Sequence, residues 1–265
     1  MKKIRLIASD IDGTLLQNGA VSLEPVLFDQ IRELRKNGIL FLAASGREYT
    51  NLQRLFEPVK DDIAYLCLNG CLTVYEGKIL SRSKMDPDTA HELISAFEAC
   101  DRTEVLISGL NTCYIRPKDP EYLHVVRDIV HNTVTVVDDL HHIPEPYSKI
   151  SAYEKDNVND LEEWQKQFGS RITVQIGGQK WLDCAPRGVN KASGFLQLLK
   201  HLQIDPADTI MFGDNDNDHQ ILEAAGMAAA VENAVPSIKA ICPYTAKTVP
   251  EALNRILHGE ELLQQ

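Results

Sequence analysis

The chain has 265 residues, which is enough for a large domain or for a core domain interrupted by an inserted one. With 44% hydrophobic and 25% charged residues, the composition is typical of a globular protein and argues against a disordered chain or a repeat array. The net charge of −11 argues against a nucleic acid as the principal partner.

The apolar segments indicate neither a membrane span nor a secretory leader. The longest apolar runs, such as residues 39–44, are far shorter than the roughly 20 residues of a transmembrane helix. Arg5 and Asp10 interrupt the N-terminal segment, where a signal peptide needs an unbroken apolar stretch. The six cysteines form no C-x-x-C pair, so we expect reduced thiols and no zinc site. We therefore expect a cytoplasmic protein without a membrane partner, either a monomer or a homodimer.

The first part of the chain alternates short apolar strands with amphipathic helices. Ser22 is expected to cap the first helix. Strand–helix–strand units with short links form parallel crossovers, so the pattern predicts an α/β fold with a doubly wound parallel sheet. Strands are predicted at 4–9, 39–44 and 65–68, and helices at 22–38 and 48–57.

The pattern changes after residue 70. A hairpin is predicted over 71–83, and helices then alternate with strand pairs until about residue 183; one of these helices is predicted over 158–168. The core pattern returns with a helix over 191–202 and a strand over 209–212. We therefore expect a core domain formed by 1–82 and 186–265, with an inserted α/β domain over 83–185.

Four polar clusters lie where predicted strands end or predicted helices begin. In a parallel sheet, the carboxyl ends of the strands surround the crevice in which ligands bind. The clusters are Asp10-Ile11-Asp12-Gly13-Thr14, Ser45-Gly46-Arg47, Lys191, and Gly213-Asp214-Asn215-Asp216-Asn217-Asp218.

The spacing of Asp10 and Asp12 suits phosphoryl transfer. Carboxylates at positions i and i+2 after a strand can point the same way, so one can attack phosphorus while the other handles a proton. Crowded carboxylates repel phosphate, so a divalent cation is required, and Asp214 can complete with Asp10 an oxygen-rich site that suits Mg²⁺. Lys191 offers a positive charge to the phosphate, and Ser45 with nearby amides offers hydrogen bonds.

The acidic cluster after the strand at 209–212 has an alternative interpretation. Alternating Asp214, Asp216 and Asp218 also open an EF-hand calcium loop. An EF-hand would need Gly in place of His219 and Glu in place of Ala225, and it would follow a helix. We therefore favour a site at the end of a strand.

The remaining clusters also have ordinary structural explanations. Asp-x-Asp-Gly and Ser-Gly are frequent in turns and helix caps, and most lysines are solvated. Arg47 at the start of a helix could bind substrate or form an ordinary salt bridge. The functional interpretation therefore depends on the combination of the four clusters.

Taken in order, the four clusters resemble the motifs of the haloacid dehalogenase superfamily. The position of the insertion resembles that of its Cof-like phosphatase branch. The resemblance implies a Rossmann-like core with an inserted α/β cap that sets specificity. It also implies a phosphatase that hydrolyses a small phosphate ester, such as a sugar phosphate, a nucleotide or a cofactor phosphate.

The resemblance also implies roles for individual residues. Asp10 would be the nucleophile and Asp12 the acid and base, with its backbone carbonyl facing Mg²⁺. Asp214 would bind the metal, supported by Asp218. The residues implied in phosphate or substrate binding are Ser45, Gly46, Arg47, Lys191 and Asn217. Three features depart from the commoner family pattern: Ala192, Ser45 and the segment Val231-Glu232-Asn233-Ala234. Because this segment matches the family pattern only in part, the role of Asn233 stays open.

Two other functions fit the same clusters. A phosphomutase or phosphotransferase would pass the phosphoryl group to a second hydroxyl, and analysis of the products would distinguish it. A phospho-accepting switch domain would also place aspartates and a lysine around magnesium. However, Asp12 would activate water that hydrolyses the aspartyl phosphate, whereas a switch needs this phosphoryl group to last. A switch also has no evident use for the large insertion.

Overall fold

The computed structural model describes residues 4–158 and 160–264. These residues form two compact units. The core unit contains the chain up to Ser45, Leu52–Ser81 and the chain from Asn190, whereas the insert unit contains Gly46–Asn51 and Arg82–Val189. The sequence pattern predicts residues 46–51 within the core domain, but the structure groups this segment with the insert unit.

The described residues form short strands and helices throughout. The strands are β1 (Leu6–Ser9), β2 (Leu40–Ala44), β3 (Ala64–Cys67), β4 (Leu72–Tyr75), β5 (Lys78–Arg82), β6 (Thr103–Ser108), β7 (Cys113–Ile115), β8 (Val134–Val136), β9 (Lys149–Glu154), β10 (Ile172–Gly178), β11 (Trp181–Pro186), β12 (Thr209–Gly213), β13 (Met227–Val231), β14 (Tyr244–Ala246) and β15 (Leu263–Gln264). The helices are α1 (Pro25–Lys36), α2 (Tyr49–Leu55), α3 (Pro87–Ala99), α4 (Pro120–His124), α5 (Leu161–Phe168), α6 (Lys191–Leu202), α7 (His219–Ala224), α8 (Pro236–Ile241) and α9 (Val249–Leu257). None of these helices is long and apolar enough to cross a bilayer.

The core unit is built on one sheet with the strand order β15-β14-β13-β12-β1-β2-β3-β4-β5. The six strands from β14 to β3 run parallel, and β1 lies between β12 and β2. All four residues of β1 are buried, as expected for a central strand covered on both faces. The doubly wound fold predicted from the sequence is confirmed. Because chain order reverses beside β1, the crevice of such a sheet lies at the carboxyl end of this strand.

The insert unit contains a second sheet with the strand order β10-β11-β9-β6-β7-β8. It is antiparallel except for the parallel pair β7 and β8. Apolar side chains of α3 and α5 pack on this sheet, and Phe97 meets Trp164 edge to face at 4.6 Å between ring centroids. This unit therefore has its own hydrophobic core.

Two helix starts differ from the sequence prediction. Helix α1 begins at Pro25 with Glu24 as the N-cap residue, so the predicted Ser22 cap is wrong. Proline fits the first helical position because its missing N–H needs no partner there, and this preference outweighs a capping serine three residues earlier. Helix α5 begins at Leu161 instead of Val158, because Asp160 occupies the N-cap position.

The start of α6 is fixed by a close contact with the turn before β4. Gly70 in this turn has a φ of +98°, and a Cβ atom there would lie 2.1 Å from the carbonyl oxygen of Asn190. Asn190 caps α6 reciprocally with Ser193, since each side chain accepts the backbone N–H of the other residue. Lys191 is the next residue, so the cap and the glycine contact together fix its backbone.

We expect Gly70→Ala to lower the free energy of unfolding by about 2–4 kcal/mol, because the methyl group adds a steric clash to the cost of a positive φ. The matched control is Gly38→Ala. Gly38 has a φ of +76° and has no atom within 4 Å of a built Cβ, so this variant should lose only about 1–2 kcal/mol. Urea unfolding measures both, and equal losses would contradict the proposed contact.

Candidate active site

Three polar loops follow neighbouring parallel strands of the core unit. Asp10 follows β1, Ser45 follows β2 and Asp214 follows β12. The backbone N–H of Asp10 donates to the carbonyl of Phe212 at 2.9 Å, which continues the ladder between β1 and β12 to the loop. The parallel pairing therefore brings these loops to the same edge of the sheet.

A buried lysine joins two of the carboxylates at this edge. The Nζ atom of Lys191 donates to Oδ1 of Asp10 at 2.5 Å and to Oδ1 of Asp218 at 2.6 Å. Lys191 is only 1% exposed, although lysines are seldom fully buried unless they are paired. The arrangement therefore neutralises part of the negative charge that the core unit buries here.

Asp214 is held by the loop that follows β1. The hydroxyl of Thr14 donates to Oδ1 of Asp214 at 2.6 Å. A Cβ atom at Gly13 would lie 2.2 Å from Oδ2 of Asp214, and Gly13 has a φ of +93°, so only glycine fits here. Asn233 donates from Nδ2 to the carbonyl of Gly13 at 2.7 Å. Asn233 thus braces the loop that contacts Asp214.

The acidic side chains form a group that could hold a metal ion. Carboxylate oxygens of Asp10, Asp214 and Asp218 lie within 4.8 Å of one another, and all three residues are buried. Such oxygens suit a hard divalent cation. Asp218 is already engaged, because Oδ2 accepts the backbone N–H of Asp214 at 3.2 Å and Oδ1 accepts Lys191. Asp10 and Asp214 are therefore the better donors for a metal.

The pKa shifts report the crowding of these groups. Burial and repulsion by Asp218 raise the pKa of Asp10 well above its usual value, although Lys191 opposes the shift. Burial also raises the pKa of Asp214, against the hydrogen bond from Thr14. Burial opposes the charged form of Lys191, but attraction to Asp10 and Asp218 outweighs it and raises the pKa of the lysine. A divalent cation at Asp10 and Asp214 would stabilise both ionised carboxylates.

Comparison with known proteins identifies the family. The sequence profile of the haloacid dehalogenase-like hydrolases matches residues 7–253. The chain belongs to this family. The resemblance seen in the motifs is therefore confirmed, and the protein is a haloacid dehalogenase-like hydrolase.

Relatives of this haloacid dehalogenase-like hydrolase match along most of their length. One is the 5-amino-6-(5-phospho-D-ribitylamino)uracil phosphatase YbjI of Escherichia coli strain K12, 27% identical over 99% of both chains. Another is the HMP-PP phosphatase of Enterobacter sp. strain 638, 29% identical over 88% of this chain and 86% of the relative. A haloacid dehalogenase-like hydrolase structure from Bacteroides thetaiotaomicron has the same fold, with a TM-score of 0.85, 20% identity and coverage of 96% and 100%.

The other residues singled out in the sequence lie in different surroundings. Ser45 is buried at the end of β2, whereas Asp12 and Asn217 are exposed in their loops. Gly46 and Arg47 belong to the insert unit. Gly213 is the last residue of β12 and residues 214–218 follow this strand, which agrees with the rejection of an EF-hand.

Sequence reasoning missed the contacts that support the acidic group in this hydrolase. The motif that contains Thr14 predicts no role for its hydroxyl, and the hydrogen bond from this hydroxyl to Asp214 spans 200 residues of chain. The Asp-Gly-Thr sequence was the available signal, since a glycine between two functional residues often permits a close approach.

We expect Lys191→Met to lower the free energy of unfolding by about 3–5 kcal/mol at pH 7 in EDTA, because it leaves two buried carboxylates without their cation. The matched control is Lys200→Met on the exposed side of the same helix, which should change stability by no more than about 0.5 kcal/mol. Urea unfolding measures both variants. Similar small losses in the two would contradict the buried ion pairs.

Proposed function

We propose that this hydrolase is a magnesium-dependent phosphatase that acts on small phosphorylated metabolites through an aspartyl phosphate on Asp10. The observation that carries this proposal is the buried group of Asp10, Asp214 and Lys191 at the carboxyl edge of the core sheet. A carboxylate beside a metal-binding carboxylate and a fixed ammonium group suits attack on a phosphate dianion.

The substrate class is proposed from the relatives. Their names specify a phosphorylated ribitylaminouracil and HMP-PP, both of them small phosphate compounds. We infer a substrate of the same general class here, which could be a sugar phosphate, a nucleotide or a cofactor phosphate. The six cysteines are free in the structure, which suits a reducing cytoplasm, where such metabolites are found.

The proposed reaction has two steps. A carboxylate oxygen of Asp10 attacks phosphorus, the ester bond breaks, and the leaving oxygen takes the proton of the Asp12 carboxyl group. The Asp12 carboxylate then takes a proton from water, and the resulting hydroxide attacks phosphorus and releases inorganic phosphate from Asp10. Both aspartates return to their starting protonation states.

The remaining residues bind the phosphate and the metal in this proposal. Asp10, Asp214 and the backbone carbonyl of Asp12 would hold Mg²⁺, which supplies positive charge that offsets repulsion between carboxylate and phosphate. Asp218 would support the metal site through Lys191 and the N–H of Asp214. The groups proposed to bind phosphoryl oxygens or substrate are Ser45, Gly46, Arg47, Lys191 and Asn217.

The insert unit is proposed to be a cap that sets substrate specificity. It is a separate compact unit with its own sheet and hydrophobic core, as a specificity module added to a catalytic core would be. Its boundaries are proposed near residues 82 and 186, together with the separate segment 46–51.

The decisive experiment is a screen for phosphate release over a panel of sugar phosphates, nucleotides and cofactor phosphates. With Mg²⁺ the protein should release phosphate from at least one compound. EDTA should abolish the release, and added Mg²⁺ should restore it, because unshielded carboxylates repel the substrate. Calcium should substitute poorly, because its larger and more flexible coordination shell is poorly matched to in-line attack.

The matched control for a contaminating phosphatase is the Asp10→Asn variant. It should release no phosphate from any compound of the panel, since an amide oxygen is a weak nucleophile. Full activity in EDTA would contradict the role of the metal. Transfer of phosphate to a second hydroxyl without net release would instead indicate a phosphotransferase.

A further inference from the structure

The short segment after Ser45 is attached to the insert unit at several points. This segment, residues 46–51, continues the chain directly from the end of β2 and contains Arg47 and Glu48. Ser45, which is proposed to bind phosphate, is therefore separated from Arg47 by Gly46 alone. What fixes the segment also fixes the position of this arginine.

Lys149 fixes the beginning of the segment. Its Nζ atom donates to the carbonyl of Gly46 at 3.1 Å and to Oδ2 of Asp183 at 3.4 Å. Ser151 donates to the other oxygen of Asp183 at 2.6 Å. A Cβ atom at Gly177 would lie 2.6 Å from this carboxylate, so the glycine leaves room for it. The neighbouring chain is therefore shaped to hold the pair of Lys149 and Asp183.

Two further contacts fix the middle and the end of the segment. The hydroxyl of Ser108 donates to Oε1 of Glu48 at 2.7 Å. Asn51 accepts a hydrogen bond from Nη1 of Arg47 at 3.0 Å and donates from Nδ2 to the carbonyl of Val130 at 2.8 Å. The guanidinium is thus connected to the insert unit through Asn51.

The burial of these charges makes the arrangement unusual for a purely structural contact. Glu48, Lys149 and Asp183 are 5%, 6% and 5% exposed. Buried charges are costly even when paired, and apolar side chains of similar volume often stabilise a core as well or better. What the charged group provides, and apolar packing would not, is directional hydrogen bonding to the segment that contains Arg47.

We propose that Lys149 is a positioning residue, which holds the segment 46–51 and thereby fixes the Arg47 guanidinium, the group proposed above to bind the substrate phosphate. Lys149 itself need not touch the substrate. This inference rests on the proposed phosphatase function and adds a residue that controls phosphate affinity through another residue.

The test is a double-mutant cycle between Lys149→Met and Arg47→Ala. The probes are para-nitrophenyl phosphate as substrate and inorganic phosphate as competitive inhibitor, both at saturating Mg²⁺. Each single variant should raise the KM and the inhibition constant about fivefold to tenfold, with kcat changed less than about twofold. The double variant should be no weaker than Arg47→Ala alone, because Lys149 acts through the arginine. Lys149→Arg should restore part of the affinity.

Two further variants keep the test decisive. Asn51→Ala removes the hydrogen bond at the other end of the segment without leaving a buried charge unpaired. If Lys149→Met does not fold, a double-mutant cycle between Asn51→Ala and Arg47→Ala tests whether the segment controls phosphate affinity through Arg47. Thr103→Val removes a buried hydrogen bond to the Phe97 carbonyl at the opposite end of the β6 and β9 pair. This control should lower the melting temperature and leave the KM unchanged.

Effects that multiply in the double variant, or a KM unchanged in Lys149→Met and Asn51→Ala, would overturn the proposal. Failure of the proposed function would look different, since the wild-type protein would then release no phosphate from the substrate panel.

Discussion

The rest of the site depends on the hydrogen-bonded ion pairs that the Lys191 ammonium group forms with two buried carboxylates. It joins Asp10 on the loop after β1 to Asp218 in the turn before α7. Asp218 in turn accepts the backbone N–H of Asp214, so the lysine helix, the central strand and the neighbouring strand share one buried set of bonds. Because an unpaired buried carboxylate is costly, none of these partners can move alone. The cap at Asn190 fixes the helix end from which the lysine reaches in.

The surrounding constraints keep the acidic side chains crowded instead of letting them separate. Gly13 allows Asp214 to approach the β1 loop, Thr14 binds its carboxylate, and Asn233 braces the loop backbone. Burial and the neighbouring carboxylate of Asp218 disfavour the ionised form of Asp10 and raise its pKa, although Lys191 opposes this shift. Carboxylates held close together in this way could bind a divalent cation without rearranging, which is the preorganisation that the proposed electrostatic catalysis requires.

Local patterns predicted much of the fold, and long-range contacts account for most of what they missed. The bounds of α6 were predicted correctly, because helical spacing and the turn-forming residues beside it are local signals. The burial of Lys191 could not be predicted in this way, since Asp10, its partner, is 181 residues away. Residues 46–51 contact the insert unit through residues far away in the chain, such as Lys149, about one hundred residues later, so local patterns did not reveal this grouping. The Ser22 cap was wrong for a local reason, the stronger preference of Pro25 for a first helical position.

The central claim is that Asp10 becomes phosphorylated during turnover, and rapid acid quench with peptide mass spectrometry tests it most directly. The Asp12→Asn protein should be mixed with Mg²⁺ and para-nitrophenyl phosphate, whose good leaving group needs little help from an acid. Without Asp12 to activate water, hydrolysis of the intermediate should slow about 100-fold to 10,000-fold, so phosphate should accumulate on the peptide that contains Asp10. Label on any other residue, or rapid turnover without a labelled peptide, would contradict the account.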